Sequence, residues 1–315
     1  RMEIIELNSY TDEEKLMIAK NHLLPKQMKK HGIKKTQLRV SDDAIREIIT
    51  CYTRESGVRA LERCFAEICR KAAMQILSQE EPKRITVTMK KMGIECTVVD
   101  PDASEEELAK AFKENTKCVV AETIANPALV VLDIEKFARL AHSHNVPLIV
   151  DNTFATPINC RPFDFGADIV THSTTKYMDG HAAALGGCIV DSGNFDWEKY
   201  AEKFPGLTTP DDSYHGVIYT QRFGKLAFIQ KCTAQLMRDF GATPSPQNAF
   251  LLNLGLESLH VRMKRHCENG LAVARFLKTH PCVDWVSYPS LEGDKYYDLA
   301  QKYMPGGSCG VVSFG

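Results

Sequence analysis

The chain has 315 residues, of which 44% are hydrophobic and 25% charged, the balance of an ordinary globular protein with room for two domains. Its 39 basic and 40 acidic side chains leave a net charge of −1, so the composition gives no reason to expect binding to nucleic acid or to a membrane. The 11 cysteines include no C-x-x-C pair, which predicts reduced thiols in the cytoplasm and argues against a disulfide framework or a zinc site.

The first part of the chain, residues 1–79, predicts only helices. Thr11 begins a capping-box pattern at the start of the first helix, and Ser41 is the expected cap of the second. A third helix has apolar residues at helical spacing, namely Leu61, Phe65, Ile68, Ala72 and Ile76. Short extended segments at residues 2–7 and 85–88 are expected to pair beside these helices.

After residue 88 the pattern changes to strands that alternate with helices. The predicted strands are 96–99, 118–121, 147–151, 168–171 and 187–190, and the predicted helices are 104–114, 133–144, 224–240, 246–255 and 258–278, followed by an α+β tail. This alternation predicts the α/β class, with a mostly parallel sheet that is covered on both faces. Ligands of such sheets bind at the carboxyl ends of the strands.

Polar residues follow two of these predicted strands. Asp151 ends one apolar strand, and Lys176 follows a Ser/Thr run 25 residues further along the chain. Pyridoxal phosphate (PLP) chemistry needs such a pair, because a lysine amine forms the Schiff base and an anionic aspartate keeps the pyridine nitrogen protonated. Ser173 and Thr175 could hydrogen-bond the phosphate, and the glycines at 180, 186 and 187 would allow close backbone approach near the cofactor ring. Either charged residue alone is more often a solvated side chain, so the residues by themselves leave both interpretations open.

A family resemblance favours the cofactor site. The segments that carry it are AETIANP (121–127), PLIVDNTFATP (147–157), ADIV (167–170) and HSTTKY (172–177). They resemble the signature blocks of the PLP-dependent enzymes of cysteine and methionine metabolism, and the similarity runs from about Met92 to Gly315. The resemblance implies the fold of PLP-dependent transferases of fold type I.

The same resemblance implies roles for individual residues. It makes Lys176 the Schiff-base lysine and catalytic residue, and Asp151 the partner of the pyridine nitrogen. Ser173 and Thr175 are implied to bind the phosphate. Two further residues are implied at the ring: Asn126, near its phenolic oxygen, and Thr153, which lines the pocket beneath it.

One segment narrows the choice within the family. FPGLTTPDDSYHG (204–216) resembles an insertion typical of O-acetylhomoserine sulfhydrylases. The implied reaction replaces the acetate of O-acetylhomoserine with sulfide and yields homocysteine, in a homo-oligomer. Cystathionine γ-synthase and methionine γ-lyase activities remain the alternatives. His215 in this segment is a further pocket candidate, although a loop histidine more often faces solvent.

Residues 1–88 resemble part of a different protein family, namely the small helical lid of the ATPase module of Lon proteases. The segments that carry this resemblance are YTDEEK (10–15), IAKNHL (18–23), PKQ (25–27) and YTRESGVRALER (52–63). It implies that Arg59 matches an arginine that senses nucleotide phosphates. The chain contains no G-x-x-x-x-G-K-[ST] loop to hold those phosphates, so Arg59 is expected to be a surface or helix-packing arginine. A Lon lid fragment remains an alternative description of the chain.

The two resemblances together predict three domains: a lid at 1–88, a PLP-binding domain at 89–257 and the start of an α+β domain at 258–315. They also lead us to expect a truncated chimera, joined near residues 88 and 89. The family's Tyr-x-Arg element, Ser-Gly-Gln phosphate turn, ring-stacking tyrosine and substrate-binding arginine have no match in the chain. We therefore expect impaired activity.

Overall fold

The computed structural model describes residues 10–35, 37–53, 58–77, 85–87 and 95–315. The chain divides into two units, residues 1–98 and 99–315, and each is described separately. The domain boundaries predicted after residues 88 and 257 stay predictions. Among the helices of the described residues, none is long and apolar enough to cross a membrane.

The described residues of the first unit form four α-helices. They are α1 (Asp12–Ile18), α2 (Leu24–Lys30), α3 (Asp42–Glu47) and α4 (Arg59–Leu77), with π-helical turns at Ala19–Leu23 and Ile48–Tyr52. The predicted helix starts are confirmed. In the capping box the Thr11 amide donates to a Glu14 carboxylate oxygen at 2.8 Å, and at the second start the Ala44 amide donates to the Ser41 hydroxyl at 3.2 Å.

The expectation that residues 1–79 contain only helices is wrong. Strand β1 (Leu38–Val40) pairs in parallel with β2 (Ile85–Val87). Leu38 and Val40 are buried and Arg39 is exposed, which is the period of two that a half-buried strand requires. The pairing expected of residues 2–7 lies outside the described residues. Within the predicted stripe of helix α4, Leu61 and Phe65 are fully buried in the core of this unit. The side chain of Ile76 lies outside the described part of the chain.

The second unit is built on a four-stranded sheet. Its strands are β3 (Val119–Glu122), β4 (Leu148–Asp151), β5 (Ile169–His172) and β6 (Cys188–Asp191), in that spatial order. The first three strands are parallel and β6 is antiparallel to β5, so the predicted α/β fold with a mostly parallel sheet is confirmed. The strand predicted at 96–99 is wrong, because residues 95–100 have no regular structure.

The remaining helices and strands follow the predicted order. The helices are α5 (Glu105–Ala109), α6 (Ile134–Ser143), α7 (Thr156–Asn159), α8 (Pro205–Thr208), α9 (Tyr219–Phe223), α10 (Ala227–Lys231), α11 (Arg238–Phe240), α12 (Pro246–Glu257), α13 (Leu259–Lys278) and α14 (Tyr297–Tyr303); β7 (Val286–Ser287) and β8 (Ser313–Phe314) form an antiparallel pair. The helix predicted at 104–114 is shorter because turns follow Ala109. The helix predicted over 224–240 is divided by a π-helical turn at Cys232–Met237.

Both faces of the sheet are packed, and successive side chains of β4 lie on opposite faces. Leu148 and Val150 pack into the larger core, whereas Ile149 packs with Phe195 and Tyr219 in a second apolar cluster. Because successive strand side chains alternate between faces, Asp151 lies on the face of Ile149. The Cα register pairs Asp151 with Thr171 on the neighbouring strand, so the carboxyl ends of β4 and β5 lie side by side.

Candidate functional site

The carboxyl ends of β4 and β5 are joined by one side chain, Thr153. Its hydroxyl donates to Oδ1 of Asp151 at 2.5 Å and accepts from the amide of Ser173 at 2.8 Å. The Thr153 amide donates to the same carboxylate oxygen at 2.9 Å. Both hydrogen bonds reach Oδ1 and orient the Asp151 carboxylate, and none of the hydrogen bonds among the described residues reaches its Oδ2.

A second residue, Asn152, fastens three strand ends and was not singled out in the sequence. It is fully buried; its side-chain oxygen accepts from the Thr123 hydroxyl at 2.8 Å, and its side-chain nitrogen donates to the Cys160 carbonyl at 2.9 Å. Its amide donates to the Thr171 carbonyl at 2.9 Å. The sequence signal that could have identified Asn152 is its place directly after a buried apolar strand, because a buried side-chain amide must form hydrogen bonds inside the fold.

Lys176 lies on the loop that leads from β5 to β6, residues 173–187. Its side chain is exposed, while its amide donates to the Ser173 carbonyl at 3.3 Å and its carbonyl accepts from the Gly180 amide at 2.9 Å. The loop main chain thus turns back on itself at Lys176. Lys176 therefore lies one short turn beyond the end of β5, the strand that pairs with the strand of Asp151.

The hydroxyl of Thr175 serves the loop itself. It accepts from the Gly186 amide at 3.1 Å and donates to the Gly186 carbonyl at 3.2 Å. A hydroxyl has one proton, so in this geometry none is left for a phosphate oxygen. At two of the glycines the structure shows close approach to protein atoms, since a Cβ on Gly186 would lie 2.7 Å from the Thr174 hydroxyl and one on Gly187 would lie 3.3 Å from the His172 carbonyl. The close backbone approach expected near the cofactor ring stays a prediction.

Asn126 follows β3 at the same edge of the sheet. Its amide donates to a carboxylate oxygen of Glu122, and Glu122 pairs with Asp151 in the strand register. The side chain of Asn126 is exposed, and its peptide bond to Pro127 is cis. His215 has a left-handed backbone in the 204–216 segment, and among the described residues it takes no part in the hydrogen bonds that join the strand ends.

His172, the last residue of β5, is a buried titratable group at this edge of the sheet. Burial lowers the pKa of its imidazole, and the negative charge of Asp151 opposes that shift. Its Nδ1 is buried, and none of the described residues provides a hydrogen-bond partner for it. Strand alternation places His172 on the opposite face of the sheet from Asp151.

The groups at this edge fit the chemistry of PLP. The cofactor needs an amine, an anion for its ring nitrogen and donors for its phosphate. The described residues give no hydrogen-bond or ion-pair partner to the ammonium of Lys176 or to the hydroxyl of Ser173. Both groups, together with Oδ2 of Asp151, can therefore meet a ligand without breaking a protein contact.

Comparisons with known proteins agree with this fit. The family model described as Cys/Met metabolism PLP-dependent enzyme matches residues 34–315. The homocysteine/cysteine synthase of Saccharomyces cerevisiae is 46% identical over 230 residues, which are 73% of this chain and 52% of that protein. The O-acetyl-L-homoserine sulfhydrylase of Leptospira meyeri is 42% identical over 233 residues, with coverage of 71% and 52%.

A solved structure shows the same similarity. An O-acetylhomoserine (thiol)-lyase from Campylobacter jejuni, crystallised with a pyridoxyl phosphate group on a lysine, superposes with a TM-score of 0.67 at 37% identity. That match covers 72% of this chain and 56% of the other. The chain spans about half the length of the curated relatives it matches. The resemblance of residues 1–88 to the Lon lid stays a prediction, and the family model already begins at residue 34.

Proposed function

Because the chain belongs to the family of PLP-dependent enzymes of cysteine and methionine metabolism, we propose that it carries the cofactor-binding core of an O-acetylhomoserine sulfhydrylase. The proposed reaction replaces the acetate on the γ-carbon of O-acetylhomoserine with sulfide, giving homocysteine and acetate. The carrying observation is that Thr153 joins Asp151 and Ser173 at the carboxyl ends of neighbouring parallel strands, directly before the loop with Lys176. The similarity to named sulfhydrylases supports the choice of reaction.

In this proposal each residue has a separate task. Asp151 holds a proton on the ring nitrogen, with its carboxylate oriented by Thr153. Ser173 donates to the phosphate, and Asn126 lies near the phenolic oxygen of the ring. Thr175 can donate to the phosphate only after its proton leaves the Gly186 carbonyl, a bond of 3.2 Å. PLP itself, when bound, supplies the electron sink that makes the α-carbon of the substrate acidic.

Lys176 is the proposed catalytic residue. Its amine first holds the cofactor covalently and then, once free, moves protons on the carbons next to the reacting centre as a general base. Its exposed side chain at the edge of the sheet is compatible with both tasks. We further propose that the protein acts as a homo-oligomer in the cytoplasm on small amino-acid substrates.

The first test asks where PLP attaches. The purified chain is incubated with PLP, reduced with borohydride and digested, and mass spectrometry is expected to find the pyridoxyl group on Lys176. Lys176→Ala should lose that adduct, whereas Lys199→Ala, which changes another exposed lysine of the same unit, should retain it. A dominant adduct on a different lysine would contradict the assignment.

The second test asks which reaction follows. The chain is given O-acetylhomoserine with sulfide, and separately O-acetylhomoserine or another activated homoserine with cysteine, and methionine alone. We expect homocysteine from the first mixture. Cystathionine from the second, or methanethiol from methionine, would favour the two alternative activities over the sulfhydrylase.

A further inference from the structure

We infer that Arg262 is a positioning residue that holds the main chain beside Lys176 in place, an inference that rests on the proposed function. Arg262 lies near the start of α13, 85 positions after Tyr177, the residue that follows the lysine. No residue of the sequence motif predicted this contact. The inference follows from where the guanidinium, two glycines and the loop carbonyls meet.

The guanidinium of Arg262 donates to carbonyls of two separate elements, the Lys176 loop and the end of α12. Nη1 donates to the Tyr177 carbonyl at 2.7 Å, and Nη2 donates to the carbonyl of Gly255, at the end of α12, at 2.7 Å. Nε donates to the Ser258 hydroxyl at 3.0 Å, which fixes the orientation of the planar group. The fork therefore ties the residue directly after Lys176 to the junction between α12 and α13.

Two glycines allow this contact to be close. A Cβ on Gly180 would lie 2.5 Å from Cζ of Arg262, and Gly180 has a left-handed φ of +71°. A Cβ on Gly255 would lie 2.3 Å from the Asp179 carbonyl oxygen and 2.5 Å from that of Met178. Real side chains do not approach backbone this closely. The loop and the helix junction thus approach each other closely at Gly255, and the guanidinium of Arg262 packs against the loop at Gly180.

Other bonds leave the loop little freedom beyond this contact. The carboxylate of Asp179 accepts from the Ala183 amide at 2.9 Å, and the Tyr177 hydroxyl accepts from the Gly310 amide at 3.0 Å. Lys176 itself is held only through its main chain, because its side chain is exposed. The placement of the Lys176 side chain therefore depends on the backbone that Arg262 holds. Arg262 acts through Tyr177 and touches no reacting atom.

The test compares four variants of the full chain. Arg262→Gln removes the charged fork, Arg262→Lys keeps the charge but cannot span both carbonyls, and Arg265→Gln is the matched control. Arg265 lies on the same helix, is 72% exposed and pairs with Glu268 at 3.0 Å. Gly255→Ala places a methyl group against the Met178 and Asp179 carbonyls of the same loop without any change of charge.

The first readout is amide hydrogen exchange over residues 173–187 without cofactor. We expect exchange at least tenfold faster in Arg262→Gln and Gly255→Ala, an intermediate effect in Arg262→Lys and none in Arg265→Gln. The second readout is the pH midpoint of the visible absorbance of PLP bound to Lys176. A shifted midpoint in Arg262→Gln indicates changed placement of the amine, whereas simple loss of folded protein would reduce the signal and leave the midpoint unchanged.

The inference is overturned if folded Arg262→Gln and Gly255→Ala both exchange like the wild type over 173–187. It is also overturned if exchange rises equally throughout residues 99–315, because that result indicates general destabilisation. Failure of the proposed function looks different: the wild-type chain would take no pyridoxyl group on Lys176, while the loop would still depend on Arg262.

Discussion

Thr153 and Asp151 form the tightest side-chain contact at the candidate site, with the threonine hydroxyl donating to the carboxylate at 2.5 Å. The same hydroxyl accepts from the Ser173 amide, so one atom fixes both the carboxylate and the first residue of the Lys176 loop. A valine has nearly the same shape and neither hydrogen bond. Position 153 therefore permits a substitution that removes the link with little change in packing.

Thr153→Val is expected to weaken PLP binding by roughly tenfold to a hundredfold. Loss of hydrogen bonds to a charged group costs about 1.5–3 kcal/mol, and about 1.4 kcal/mol corresponds to one decade of affinity. The measurement is titration with PLP, followed by quantification of the reduced adduct. Thr153→Ser keeps the hydroxyl and should bind as the wild type does. If Thr153→Val bound PLP as tightly as the wild type, the proposed role of Thr153 in the site would be contradicted.

The stability of the sheet should depend on pH through His142 and Asp168. Nε2 of His142 lies 2.8 Å from Oδ2 of the buried Asp168, and this hydrogen bond raises the pKa of His142 above its usual 6.5. A raised folded-state pKa adds stability that is fully present below the unfolded pKa and is lost as the pH rises through the folded one. We expect the wild type to exceed His142→Gln in urea midpoint more clearly at pH 6 than at pH 9. Because His142 is 44% exposed, the difference should stay below about 1 kcal/mol.

The neighbouring Asp191 has to be separated from this effect. Burial is the main cause that raises its pKa, and the charge of Asp168 adds to it. Its protonation therefore also favours the folded state at lower pH. Comparing the wild type with His142→Gln at each pH cancels the contribution of Asp191 as long as the pKa of Asp191 is the same in both. A difference between wild type and His142→Gln that is identical at pH 6 and pH 9 would contradict the assignment to His142.

Two valines on neighbouring strands offer a matched test of the core. Val150 is fully buried on β4, whereas Val120 on β3 is 67% exposed. Val150→Ala should lower the free energy of unfolding by about 1.5–3 kcal/mol, since two methyl groups leave a packed core and a cavity remains. Val120→Ala should change it by less than about 0.5 kcal/mol. Chemical denaturation measures both, and equal effects would show that β4 is not the interior strand described.

ATP should leave the melting temperature of the chain unchanged. The sequence has an arginine, Arg59, that resembles a nucleotide sensor, but no loop that would hold the phosphates. Only a ligand that binds the native state raises the melting temperature. Thermal scans with and without millimolar ATP and Mg²⁺ provide the measurement. A rise that Arg59→Ala abolishes would support a nucleotide-binding role for the first unit.

The local sequence by itself determined the features that depend on near neighbours in the chain. The caps at Thr11 and Ser41 follow from side chains that bond amides three residues away. The apolar segments that became β4 and β5 are also local, and so is the position of Asp151 and Ser173 at their ends. Parallel pairing then requires those ends to meet at one edge. The α/β class and the main members of the candidate site could thus be predicted.

Tertiary structure decided the contacts that join distant segments. Residues 38–40 became a strand because residues 85–87 were available to pair with them, which no local pattern shows. The Thr175 hydroxyl bonds Gly186, and Arg262 reaches the Tyr177 carbonyl across 85 positions of the chain. Such bonds depend on the distance between elements after they pack. The motif therefore predicts which groups take part in the chemistry, and only the packed fold decides how those groups are held.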